Sequence, residues 1–300
     1  MEIILLLLFL LCSLLLSKRT EQNTEGFDGK LTHDVLVKWG YNYDTIFMYL
    51  NNRNIVSIEN GTFSKFSNLL QLTLYNNKIE IVSSNAFSGL TNLGVLELQN
   101  NLIHFIHEDA FEDLTSLTHL HLSGNLIEHL SYTTFKSLKK LTILNLFSNS
   151  FLDLERDTFK YLDNLEFLDL SYNNLAVVEP SMFPKNLVNL KRLYIKHNNL
   201  SLVHSGVFKA LLKLEILDLS SNKIVFIDKN EFQNMKSLRS LNLKNNQLVY
   251  LDSNIFIGCD NLTGLCLGGN LLESEEIYFN LNSSFSNQIS IWKDFLACFE

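Results

Sequence analysis

His119 and His121 are the first side chains whose type and spacing pose a question of chemistry. Alternating along an extended segment, both imidazoles face one side of it, and Glu97 falls beside His121 one sequence repeat earlier. That is part of a divalent-metal site, which needs three or four ligands and, for catalysis, a bound water. No fourth donor or water-activating arrangement accompanies the three. The plainer reading is a polar patch of ordinary histidines, and neither a metal nor any other cofactor is expected. No nucleophile is paired with a base by a recognisable motif, and no phosphate-binding glycine loop occurs, so the chain does not read as an enzyme.

The remaining reactive residues depend on the compartment. From Ile3 to Leu16 the chain is almost wholly apolar, too short for the roughly 20 residues that span a bilayer as a helix and suited to the core of a signal peptide. Residues 1–17 are therefore read as a leader removed on export, with an uncleaved anchor as the alternative. No second apolar run of spanning length follows. After cleavage the chain is expected to be secreted and extracellular, with no membrane insertion. Cys12 leaves with the leader, and Cys259, Cys266 and Cys298 remain, an odd number in an oxidising compartment. Cys259 takes a column otherwise filled by buried leucine and reads as a small core hydrophobe. Cys266, expected to point from the last strand toward solvent, is paired in this reading with Cys298. Asn60, Asn199, Asn261 and Asn282 each open an Asn-x-Ser/Thr sequon and are candidate glycosylation sites.

What must position these residues is a repeat. The pattern Leu-x-x-Leu-x-Leu-x-x-Asn-x-Leu recurs with a period of 24 residues, most clearly in Leu69, Leu72, Leu74, Asn77 and Ile79. A degenerate copy opens at Thr45, and further copies open at Leu93, Leu117, Leu141, Leu165, Leu190, Leu214, Leu238 and Leu262. One extra residue enters at Pro184-Lys185-Asn186, before the copy at Leu190. Leucines at positions one, four and six flank a short parallel strand, and stacked strands bury a core that no single copy buries alone. Position nine holds Asn77, Asn101, Asn125, Asn149, Asn173, Asn198, Asn222, Asn246 and Asn270, whose amides are suited to pair backbone groups that the chain reversal strands. Arg53 replaces the asparagine in the first copy, so the ladder should begin one turn late at a looser edge. Position nineteen holds Phe63, Phe87, Phe111, Phe135, Phe159, Phe183, Phe208, Phe232 and Phe256, an aromatic spine on the convex side.

A 24-residue repeat with phenylalanine in that column resembles the extracellular leucine-rich-repeat family, as in Toll-like receptor ectodomains and secreted adhesion or immune proteins. The likeness runs over residues 45–272. It implies an α/β solenoid of about ten repeats, a horseshoe with a parallel sheet on its concave face, and recognition of proteins, glycans or lipids there or along its edges. Members usually carry cysteine-rich caps, whereas residues 18–44 contain no cysteine. The alternation Val35, Val37, Trp39 predicts an apolar strand laid against the first repeat. In residues 273–300 the spacing of Ile289, Ile291, Trp292, Phe295, Leu296 and Phe299 predicts a closing helix.

Strand alternation sends positions three, five, seven and eight to the concave face. In the central copies these columns hold His119, His121, Ile143, Phe147, Phe167, Asp169, Tyr172, Arg192, Tyr194 and Lys196. Aromatics and arginine grouped on a surface make a ligand-binding hot spot, although rings can also simply shield one another along a sheet. A net charge of −8 speaks against nucleic acid as a partner. The expected role is recognition of a protein or glycan ligand, with defence or signalling as the candidate settings. The competing role is a structural or adhesive matrix component.

Overall fold

The computed structural model describes residues 26–272 and the backbone of 290–292. Its framework is one parallel sheet of eleven strands, in which each strand pairs with the strand of the next turn. Ten of these strands come from the ten repeats, from Phe47–Tyr49 to Gly264–Cys266. All are three residues long, because the chain must turn back after each pass. The registers align the repeat columns: Leu72 pairs with Leu96, Leu96 with Leu120, and Leu120 with Leu144. The solenoid is as expected, but helix is scarce. A single α-helix and two 3-10 turns are present among the described residues.

The leucines at positions one, four and six are fully buried, as in Leu117, Leu120 and Leu122. Behind them the nine phenylalanines of the spine are buried too. Their rings follow one another at 6.0–6.4 Å between centroids wherever neighbours stack, from Phe63 on Phe87 to Phe232 on Phe256. Repetition turns a side-chain preference into a continuous apolar wall, since each ring is covered by the next turn.

The asparagine ladder has the same regularity. Asn101 accepts a hydrogen bond at Oδ1 from the Ile79 amide (3.1 Å) and donates from Nδ2 to the Leu74 and Leu98 carbonyls (3.0 and 2.9 Å). Asn149 treats Ile127, Leu122 and Leu146 alike. Each side chain thus ties its own turn to the preceding one: it pairs a buried backbone amide and shares each carbonyl with the asparagine of a neighbouring turn, as Leu74 is shared by Asn77 and Asn101.

Both ends depart from expectation. His33–Lys38 is a helix, α1, rather than a strand. Thr32 caps it by accepting the Val35 amide, Asp34 sits in its first turn and Lys38 in its last, so capping and the helix dipole prevail over the two-residue alternation. Leu36 is its buried residue and Val37 is exposed, so the alternating positions do not mark the buried face. The strand that does meet the first repeat is Lys30–Leu31, paired with Ser57–Ile58. Arg53, in the place of the asparagine, is buried, and its guanidinium lies 4.2 Å from the centroid of the Trp39 ring. Burial lowers its pKa from the ordinary guanidinium value. Asn77 Oδ1 accepts the amides of Arg53 and Ile55, so the ladder still reaches the first turn from its neighbour.

At the other end Ser290–Trp292 is an eleventh strand, parallel to Gly264–Cys266, where the spacing had predicted a helix. Pairing with the open sheet edge satisfies backbone groups that a helix would leave exposed. Cys266 is buried rather than pointing to solvent. Cys298, Asn282 and residues 1–17 lie outside the described residues. Cys259 is a buried free thiol, donating to the Phe232 carbonyl at 2.8 Å, and burial pushes its pKa up to about 11.

Candidate functional site: the concave face of the central repeats

The strands His119–His121, Ile143–Asn145, Phe167–Asp169 and Arg192–Tyr194 lie side by side. Position three therefore runs His119, Ile143, Phe167, Arg192 across the sheet, and position five runs His121, Asn145, Asp169, Tyr194. The sheet brings together two aromatic groups. Phe167 and Tyr194 sit 5.5 Å apart by centroid, with the Arg192 guanidinium 5.3 Å from the Phe167 ring. Beyond the strand ends Phe147 meets Tyr172 at 4.9 Å.

The second group is larger than the sequence had indicated. His197 stacks on Tyr172 at 4.2 Å with an interplanar angle of 22°. Both occupy position eight, and every residue of that column, from Asn52 to Gly269, has a φ between 51° and 72°. The cause is the ladder between turns: the position-eight amide donates to the position-seven carbonyl of the next turn, as Tyr172 does to Lys196 and His197 to Ser220. Asparagine and glycine accept this left-handed conformation readily, and five of the ten residues are asparagine or glycine outside the centre, with Gly124 at its border. Tyrosine and histidine accept it at a cost of about 1–2 kcal/mol. Two bulky rings held there side by side are where the repeat departs furthest from its own conformational preference. The signal was readable, since His197 follows Tyr172 by one repeat length plus the inserted residue.

The charged members are less free. Asp169 Oδ1 accepts the Ser171 amide at 2.8 Å, a bond that closes the strand end and recurs with Asn145, Asp218 and Asn242. Burial raises the Asp169 pKa from its ordinary value, opposed by the bond to Ser171 and by Lys196. Burial also raises Tyr194, with Arg192 pulling the other way. His119 and His121 lie 6.5 Å apart by ring centroid, and His119 Nδ1 shares a 2.8 Å hydrogen bond with Thr118 Oγ1. Burial, and secondarily His119, lower the pKa of His121, while burial raises Glu97. These shifts favour neutral side chains. The two histidines are separated from the aromatic groups by the Ile143–Asn145 strand.

Most of these residues are half-buried by their neighbours, and Arg192, Tyr172 and His197 are exposed. The rings do shield one another, yet they leave faces and edges open to solvent. Such a surface offers stacking, cation contacts and hydrogen bonds to a ligand. Of the sequons, Asn60, Asn199 and Asn261 are exposed. Asn261 Nδ2 donates to the Lys236 carbonyl at 2.7 Å, so its amide is engaged within the fold.

Comparison with known proteins agrees with this architecture. The sequence profile described as Leucine rich repeat matches residues 48–103, 91–151, 140–186 and 188–248. The chain belongs to the leucine-rich-repeat family. Among solved structures of the fold, the crystal structure of a TLR13–ssRNA13 complex matches with a TM-score of 0.75 and 27% identity over 87% of this chain. This leucine-rich-repeat chain spans 41% of that one, so the likeness concerns part of the larger solenoid. No curated protein matches the sequence. Among the described residues no helix is long and apolar enough to cross a membrane.

Proposed function

We propose that this protein is a secreted, non-enzymatic recognition module that binds a protein or glycan ligand on the concave face of its central repeats. One observation carries the reading: Phe147, Tyr172 and His197 form a continuous row of neighbouring rings beside Phe167, Tyr194 and Arg192, at the point where Tyr172 and His197 occupy a backbone conformation that disfavours them. Strain held against local preference is characteristic of binding sites. The TLR13 of the matched structure is complexed with ssRNA13, so family membership gives no ground for excluding RNA. The preference for a protein or glycan rests on the net charge of −8.

The test is affinity capture from extracellular fluid with the glycosylated protein, followed by titration of the captured ligand. Phe167→Ala and Tyr194→Ala should each weaken binding by about 1 kcal/mol or more, and Glu128→Ala, on an exposed outer position, should leave it unchanged. The opposite pattern moves the site off the concave face. Preferential binding of single-stranded RNA, with a steep salt dependence, overturns the ligand class. A matrix role predicts self-association across a concentration series, which the recognition reading does not.

Export carries two further proposals. Glycans at Asn60 and Asn199, the exposed sequons whose Nδ2 groups make no hydrogen bond among the described residues, should shorten the mass of the secreted protein on enzymatic removal. A Cys266–Cys298 bond should appear as a linked peptide pair in a non-reducing digest. An unchanged mass, or two separate thiol peptides, rejects the respective assignment.

A further inference from the structure

The chain contains two prolines, Pro180 and Pro184, and both fall in the returning segment between the strands Phe167–Asp169 and Arg192–Tyr194. Pro180 opens the 3-10 turn Pro180–Met182, and Pro184 begins the stretch that carries the extra residue. Each fixes its own φ, so the enlarged loop has little freedom to collapse onto its neighbour. The corresponding segment of the following turn has no insertion and keeps the ordinary length. The two turns still meet at the ring spine, Phe183 and Phe208 at 6.0 Å, so the extra length is taken up in the loop beyond it.

Between them lies a cleft of about 470 Å³, within the 300–1,000 Å³ typical of small-molecule sites. Phe183, Pro184 and Val188 line one wall, and Ala210 and Leu212 the other. Apolar surface is left in water here: Leu212 is 62% exposed and Val188 42%. Lys185 and Lys209 complete the lining, with no acidic side chain among the lining residues. Both lysines are exposed, and neither makes an ion pair or a side-chain hydrogen bond among the described residues. Neighbouring lysines differ: Lys191 pairs with Glu166, and Lys213 donates to Asn189.

We infer that this cleft binds a small amphipathic anion, an unbranched alkyl or acyl chain ending in a carboxylate. The apolar walls take the chain, and the two uncompensated ammonium groups at the rim select the charge. The site is separate from the concave aromatic surface and stands or falls independently of it.

Decanoate is the probe, titrated into the full secreted chain by calorimetry, with decanamide as its uncharged counterpart and inorganic phosphate as an anion without a chain. One saturable decanoate site is expected, with decanamide at least about fivefold weaker and phosphate not binding. The double variant Lys185→Gln/Lys209→Gln, on the surface and so without consequence for folding, should weaken decanoate by a similar factor or more. Ala210→Phe should fill the cleft and abolish binding while circular dichroism stays that of the parent. Phe167→Ala should bind decanoate as the parent does. Absence of saturable binding overturns the inference, as does binding that ignores both the lysine pair and Ala210→Phe.

Discussion

Positions eight and nine of each repeat are adjacent in sequence and opposite in what they demand. Position nine is asparagine in nine of ten turns, and its amide makes the same three backbone bonds each time, as in Asn101, Asn149 and Asn222. Position eight is asparagine, glycine, serine, tyrosine or histidine, although its backbone repeats just as faithfully. In the inner column the side chain itself is the structural part, so the residue type is dictated. In the outer column the amide hydrogen bond is the structural part, so the side chain is open to other uses. A repeat protein can therefore be uniform in backbone and carry its individuality one residue away from its most constrained column.

That contrast can be broken in four places. The interior should respond most strongly: Phe135→Ala removes a fully buried ring of the spine and should cost about 3–5 kcal/mol in chemical denaturation. Asn149→Ala should cost about 1–3 kcal/mol by stranding the buried Ile127 amide and removing one of the two hydrogen bonds of the Leu122 and Leu146 carbonyls, which keep Asn125 and Asn173. A melting temperature equal to the parent's contradicts the ladder argument. In the outer column the sign should reverse. Ser221, held at a φ of 55°, carries no ring of its own to stack, and Ser221→Gly should be neutral or stabilising by up to about 1 kcal/mol. Tyr172→Asn is the sharpest case. It relieves left-handed strain but loses the rings of Phe147 and His197, two terms of similar size. Stability should change by less than about 1 kcal/mol while ligand affinity falls. A large loss of stability instead makes the ring stack a structural device.

The columns were legible in the sequence because each position meets the same neighbour one turn later. Leu120, Asn125 and Phe135 announce strand, ladder and spine together, since their counterparts recur 24 residues away. The ends were not legible for the same reason in reverse, because they lack a repeating neighbour. Val35, Val37 and Trp39 alternate like a strand, yet the Thr32 cap makes the segment helical. Trp39 then covers Arg53 in the column where the asparagine is missing. At the far end, a three-residue strand completed the sheet where residue spacing pointed to a helix.

The concave candidates were found by alternation alone, which assigns a face and not a contact. The sequence by itself determined the turn count, the register, the buried columns and the side of the sheet on which Phe167, Tyr172 and Tyr194 stand. These follow from a period that every turn repeats. Only the tertiary structure decided that His197 joins Tyr172, that Asp169 is tied to the Ser171 amide, and that the extra residue near Pro184 opens a cleft. Each of those depends on how two unlike turns meet, and a pattern defined by what successive turns share carries no information about their differences.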